Sequence, residues 1–261
     1  MDEYTSERLA GALDTRRIGR RLRWYRTLPS TNDVAMRLAD LGEPEGVVIV
    51  AEEQTAGRGR LGRAWASPRG GVWLSVILRP GLAVSQVPLV GLATAVAAAR
   101  AIGESTGLAA RVKWPNDVLV RGAKVVGILS ETGSGAAWVV LGVGINANVP
   151  RVLLPKETGY PVTSLAECSG GPVDRVGLVR TLLCEIEKAY DALQDEGAGP
   201  VLTAWRELSE TIGRVVRVHG ATREFEGLAT DVDADGALLV RLPDGRVERV
   251  VAGEVTVRGR G

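Results

Sequence analysis

The chain has 261 residues, 45% of them hydrophobic, and a formal net charge of +1. This is enough for one large core and a small second one, and it gives no global pull toward DNA, RNA or an anionic membrane. Only Cys168 and Cys184 occur, without Cys-x-x-Cys spacing, and the start Met1-Asp2-Glu3-Tyr4 lacks the basic and apolar regions of a secretion signal, so the expectation is a cytoplasmic protein with reduced thiols.

In chain order, residues 6–13 read as a short helix, followed by Arg16, Arg17, Arg20, Arg21 and Arg23, a basic cluster that suits a solvated helix end and linker. Residues 22–27 form a strand. Ser30 then opens an amphipathic helix to residue 41, with Ser30 and Asp33 spaced as a capping box. Residues 47–52 and 72–78 read as strands, the second with strong alternation. Ser85 caps an Ala-rich helix over 88–102, apolar nearly all round and therefore buried. The apolar run 87–99 is too short to cross a bilayer.

Strands over 111–113, 118–120, 125–131 and 138–145 follow, joined by turns at Pro115-Asn116-Asp117, Arg121-Gly122 and Gly133-Ser134-Gly135. Residues 149–172 are irregular, and 174–193 and 200–209 are helical. Antiparallel strands with helices grouped elsewhere indicate an α+β domain. From residue 213 five short strands (215–218, 224–231, 237–241, 247–250 and 254–257) indicate a small SH3-like β-barrel. The boundary falls near Thr211, giving domains 1–210 and 211–261. Asp231-Val232-Asp233-Ala234-Asp235-Gly236 opens like a calcium loop, but its twelfth position is Leu242, so it is a hairpin turn.

No Asp or Glu lies between Glu53 and Glu104, yet Arg58, Arg60, Arg63, Arg69, Arg79 and Arg100 do. Three of them sit in Gly57-Arg58-Gly59-Arg60-Leu61-Gly62-Arg63-Ala64-Trp65, a loop whose forked donors and loose backbone suit an anion. Gly57–Gly62 also satisfies the dinucleotide pattern Gly-x-Gly-x-x-Gly, but no apolar-periodic helix follows and no acid lies about 20 residues on, so that site is rejected. Of 32 basic residues only Lys113, Lys124, Lys156 and Lys188 are Lys. Two of these fall in Lys113-Trp114-Pro115-Asn116-Asp117 and at the start of the strand Lys124–Glu131, where compact point charges have a chemical use. Gly127 inside that strand signals a close approach. Gly142-Val143-Gly144-Ile145-Asn146 ends another strand in glycines and an amide. Ser30-Thr31-Asn32 is either a cap or a cradle for a small polar ring. His219 is the only His, which excludes a Ser/His/Asp triad and a His-rich zinc site.

In this order and spacing, the motifs Ser30–Asn32, Gln54 with Gly57–Trp65, Lys113–Asp117, Lys124–Glu131 and Gly142–Asn146 resemble those of the biotin–protein ligases, over roughly residues 22–258. The resemblance implies a mixed or antiparallel-sheet catalytic domain of the biotin/lipoate ligase type, followed by the SH3-like module. It implies that biotin and ATP give biotinyl-5′-AMP, with Mg²⁺ bridging phosphates, and that biotin then passes to one Lys of a biotin carboxyl carrier protein of acetyl-CoA or a related acyl-CoA carboxylase.

By that resemblance Ser30, Thr31, Asn32 and Gln54 face the ureido ring, and Arg58, Gly59 and Arg60 close over biotin and the adenylate. Lys124 meets the biotin carboxylate or the bridging phosphate oxygen, and Gly127 and Gly142 let the walls approach the valeryl chain. Arg60, Arg63, Lys113, Asn116, Asp117 and Asn146 fall on the ATP side. Arg60, Lys113 and Lys124 are the catalytic candidates, and no protein metal ligand is expected. Asp117 is either a base for the acceptor Lys or a turn residue.

Only about twenty residues precede the first core strand, fewer than a helix-turn-helix needs, so a monofunctional enzyme without DNA or membrane partners is expected. Lipoate–protein ligase shares the chemistry but favours an Arg-Arg-x-Ser/Thr-Gly-Gly-Gly loop with a downstream His, and neither is present. A non-enzymatic biotin sensor or DNA-binding regulator is the rival from another class.

Overall fold

Val47, Val48, Ile49 and Val50 are all fully buried, so the strand they build must be covered on both faces. The computed structural model, which describes residues 8–9, 11, 13–155, 160–219, 223–251 and 253–257, provides that cover. Strands β1 (Arg21–Leu28), β2 (Val47–Gln54), β3 (Val72–Leu78), β4 (Ala110–Lys113), β5 (Asp117–Val120), β6 (Ala123–Thr132) and β7 (Val139–Ile145) form one sheet in the order β1-β2-β3-β7-β6-β5-β4. The β1–β2 pair is parallel and every other pair antiparallel.

One face is covered by α1 (Thr31–Asp40), whose Ala35 and Ala39 pack with Ile49, Ile77, Trp138 and Val140. The other face carries the main core. There Val48, Leu74, Val76, Leu141 and Val143 meet α2 (Pro88–Thr106) and, beyond a short helix α3 (Leu165–Ser169), α4 (Arg175–Asp195) and α5 (Ala198–Leu208). A second sheet, fully antiparallel, contains β8 (Val215–His219), β9 (Glu224–Val232), β10 (Leu238–Arg241), β11 (Val247–Val250) and β12 (Glu254–Val257) in the order β11-β10-β9-β8-β12. Trp114 joins the two sheets. Its backbone N–H donates to Thr211 Oγ1 at 3.0 Å and its indole N–H to Gly236 O at 3.0 Å, and the following bond to Pro115 is cis.

The α+β class and the five C-terminal strands match the sequence reading. Several local features differ from it. β3 is buried along its whole length rather than alternating, because both faces of the sheet are covered. The Ala-rich helix runs to Thr106, long and apolar enough by length and composition to cross a bilayer, but it is largely buried in the core. Ser85 does not cap it; Ser85 lies in a 3₁₀ turn, Val84–Gln86, and Val87 holds the N-cap position. The stretch expected to be irregular contains α3, capped by Ser164, which accepts from the Glu167 N–H. The basic cluster is not merely solvated: Glu187 accepts from the backbone N–H groups of Arg16, Arg17 and Ile18, while Asp191 pairs with the guanidinium groups of Arg16 and Arg17. The helix expected over 6–13 lies mostly outside the described residues. At 231–236 the hairpin turn is as expected, with Asp233 accepting from the N–H groups of Asp235 and Ala237.

Candidate active site

Every residue singled out from the sequence as a site candidate lines one cavity of about 220 Å³ on the α1 side of the sheet. At one end, β2 delivers Gln54 beside the N-terminus of α1. Gln54 Oε1 accepts from the Thr31 backbone N–H at 2.8 Å and lies 3.1 Å from Thr31 Oγ1, while Gln54 Nε2 donates to Ser67 Oγ at 2.8 Å. Ser30, Thr31 and Asn32 are all nearly inaccessible to solvent. The expected capping box is absent. Ser30 holds the N-cap position without a side-chain cap bond, and Asp33 instead meets the Arg58 guanidinium at 2.5 Å. An opposite charge within reach outcompetes a neutral cap for that carboxylate.

The glycine-arginine loop folds back as a small turn. The Trp65 N–H donates to Gly57 O at 2.8 Å, the Gly59 N–H donates to Arg63 O at 2.7 Å, and Arg60–Gly62 is a single 3₁₀ turn with no helix after it. The sequence offers this segment no acid of its own, but the fold supplies three. Arg58 is shared between Asp33 and Glu131, and Arg63 forms a bidentate pair with Glu254 of β12. Arg58 and Arg63 are thus paired with carboxylates distant in sequence. Arg60 is different: its guanidinium reaches Asn116 Oδ1 at 3.4 Å, and desolvation by burial lowers its pKa.

Opposite the loop, Lys113 ends β4 and Asp117 begins β5, with the Pro115 turn bringing them into register as a cross-strand pair. Lys124 enters on β6. Asp117 therefore lies 2.5 Å from Lys124 Nζ and 3.7 Å from Lys113 Nζ, a buried carboxylate between two ammonium groups. Desolvation lowers the Lys113 pKa, and the nearby Lys124 charge adds to that, while Asp117 opposes it. Each ammonium also faces an aromatic ring, Lys113 Nζ 4.8 Å from the Tyr160 centroid and Lys124 Nζ 5.0 Å from Trp65. Asn116 is tied to β6, its Nδ2 donating to Ile128 O at 2.8 Å, and Asn146 donates to Thr163 O at 3.1 Å.

The glycines mark close approaches, and the approaching groups are side chains of the protein itself. A Cβ on Gly127 would lie 2.8 Å from the Trp65 ring, one on Gly144 2.6 Å from its Nε1, and one on Gly142 2.3 Å from Asn32 Oδ1. Trp65 thus lies flat over two glycines of neighbouring strands, its indole N–H buried without a hydrogen-bond partner among the described residues. Sequence reasoning did not pick out Trp65, Tyr160 or the β12 wall (Glu254, Val255 and Thr256) as site residues. For Trp65 a signal existed, since a large aromatic ends a loop facing two Gly-interrupted strands. Nothing local marks β12, which reaches the cavity only through the packing of the second sheet.

Comparison with known proteins agrees with this geometry. The profile of the Biotin/lipoate A/B protein ligase family matches residues 24–148, and that of the Biotin protein ligase C terminal domain matches residues 211–258. The chain is 36% identical over 247 residues to the Bifunctional ligase/repressor BirA of Bacillus subtilis, covering 93% of this chain and 76% of that protein. It is 35% identical over 239 residues to the Biotin--[acetyl-CoA-carboxylase] ligase of Paracoccus denitrificans, covering 88% and 98%. The structure of the biotin protein ligase from Aquifex aeolicus in complex with biotin and ATP superposes with a TM-score of 0.80 at 27% identity, over 91% of this chain and 98% of that one. With its fold, the order of its motifs and both profiles in agreement, the chain belongs to the biotin protein ligase family.

Proposed function

We propose that the chain joins biotin to ATP, releasing pyrophosphate, and passes the biotinyl group to a Lys of a biotin carboxyl carrier domain in the cytoplasm. The observation that carries this reading is the convergence of all the candidate site residues on one cavity in which cations outnumber acids. A carboxylate attacking an α-phosphate needs two anions held together, and fixed cations in a desolvated site make that possible. Lys124 is assigned to the biotin carboxylate or the bridging phosphate oxygen, and Lys113, Asn116, Asn146 and Arg63 to the nucleotide. Asp117 is read as the counter-charge that holds Lys113 and Lys124 in place. Ser30, Thr31, Asn32 and Gln54 supply the hydroxyl and amide partners that a ureido ring needs. Arg58, Gly59 and Arg60 cover the mixed anhydride and keep water from it.

Mg²⁺ is assigned to the nucleotide phosphates, with which it is usually bound through water and one or two oxygen ligands. We divide the chain into a catalytic domain, 1–210, and a C-terminal domain, 211–261. The acceptor is taken to be an acyl-CoA carboxylase carrier, as the name of the Paracoccus relative indicates for that protein. The test mixes protein, biotin, Mg-ATP and a carrier domain and weighs the carrier by intact mass spectrometry. One added biotinyl group, dependent on ATP and on the acceptor Lys, is expected; transfer of lipoate in its place would overturn the assignment.

A further inference from the structure

β3 is buried throughout, and on its α1 side Ser75 is the one polar residue between Trp73 and Ile77. Its hydroxyl lies 2.7 Å from Thr31 Oγ1 and 2.6 Å from Asn32 Oδ1. A Ser hydroxyl carries one hydrogen and can donate to only one of them. The surroundings of Asn32 decide which. Asn32 Nδ2 lies 2.8 Å from a Glu131 carboxylate oxygen and 3.4 Å from Leu129 O, and both of these are acceptors only. The amide nitrogen must therefore face them, which turns Oδ1 toward Ser75. Ser75 donates its hydrogen to that oxygen and accepts from the Thr31 hydroxyl. Gln54 Oε1 is also within reach at 3.1 Å, but a Thr31 hydrogen sent there would leave the Ser75 and Thr31 oxygens 2.7 Å apart with no hydrogen between them.

We propose that Ser75 is a positioning residue, fixing Thr31 and Asn32 as an acceptor–donor pair for the cyclic urea of the ligand. The Thr31 hydrogen points into the protein and leaves its oxygen lone pair to accept a ligand N–H. The second Asn32 N–H makes only a long 3.4 Å bond to Leu129 O, which a ligand C=O can take over. The order of the chain is set by charge, because the Glu131 carboxylate, itself held by Arg58 at 3.0 Å, is the only ionised member. Gly142 pairs with Ser75 across β3 and β7, and its missing side chain leaves the space that Asn32 Oδ1 fills. This inference rests on the reading of Thr31 and Asn32 as ureido contacts.

Ser75→Thr and Ser75→Val test it, since these two variants share a shape and differ in the hydroxyl. The readout is biotin-dependent ATP–pyrophosphate exchange, with biotin and with dethiobiotin, which keeps the urea. The expected result is a KM for either ligand about tenfold higher in Ser75→Val than in Ser75→Thr, with the KM for ATP equal in the two and the thermal midpoint a few degrees lower in Ser75→Val, whose buried partners lose a hydrogen bond. Equal KM values for biotin in the two variants, with wild type active, would overturn the role of Ser75. If the larger side chains prevent folding, Ser75→Ala against wild type is judged by the same criterion. A wild-type protein without biotin-dependent exchange would instead overturn the proposed function itself.

Discussion

Asp117→Asn removes the one carboxylate that stands between Lys113 and Lys124. Lys113 is 6% and Asp117 9% exposed, so the two ammonium groups would be left close together with little water to screen them. Breaking a buried ion pair by deleting one partner costs on the order of 3–5 kcal/mol. The lower end applies here, because the Lys124 side chain retains 20% exposure and recovers some hydration. For a chain of this size about 3 kcal/mol lowers the melting temperature by roughly 6–12 °C.

The pH dependence of that loss has a definite sign. Burial lowers the folded-state pKa of Lys113, and removing Asp117, which opposes that shift, lowers it further. A Lys whose pKa is lower folded than unfolded binds fewer protons when folded, so stability rises with pH between the folded value and the unfolded value of about 10.4. The deficit of Asp117→Asn should therefore shrink from pH 7 toward pH 10. Paired thermal melts of variant and wild type across that range measure it. An unchanged midpoint at pH 7, or a deficit that grows with pH, would refute the account of Asp117 as the counter-charge of two buried ammonium groups.

Three further outcomes are expected. Gly142→Ala places a methyl 2.3 Å from Asn32 Oδ1, so it should cost about 1–3 kcal/mol of stability and raise the KM for biotin at least about tenfold, checked by denaturant titration and pyrophosphate exchange. Arg60→Ala should release biotinyl-AMP into solution, seen as free adenylate by chromatography; retention equal to wild type would exclude a covering role for Arg60. Glu254→Gln frees Arg63, but the pair is substantially exposed, so stability should fall by no more than about 1 kcal/mol while limited proteolysis within 58–63 accelerates.

What was legible in the sequence was what local chemistry dictates. The strand boundaries around Lys113–Ile145 and the five C-terminal strands follow from alternation and turn residues, and the structure places them within a few residues. The cavity residues were legible because unusual residues recur in order, such as two lysines in an arginine-rich chain and glycines inside strands. What escaped depends on partners distant in sequence. Asp33 reads as a cap until Arg58 is seen to lie 2.5 Å away. Ser75 reads as one polar residue in a strand until α1 covers it, and Trp65 as the end of a loop until Gly127 and Gly144 are seen beneath it. β12 carries no local sign that its Glu254 meets Arg63, since the contact exists only once the second sheet is docked.

The charge distribution closes the argument from sequence to chemistry. With a net charge of +1, the chain has nearly enough carboxylates to pair every cation, and the arginines around Asp191, Glu43, Asp231 and Asp233 are paired in this way. The cavity departs from that balance. Arg58, Arg60, Arg63, Lys113 and Lys124 line it against only Asp117 and Glu254 as lining acids. Arg58 and Arg63 are held from the side by carboxylates, which leaves their positions fixed and part of their charge spent. Arg60 and the lysine pair carry the surplus, and Arg60 and Lys113 sit where desolvation makes a positive charge costly. A fold tolerates that cost when a ligand of opposite charge repays it on binding. Against Asp117 alone, Arg60, Lys113 and Lys124 keep a local surplus of positive charge, which suits a carboxylate and a phosphate chain brought into the same cavity.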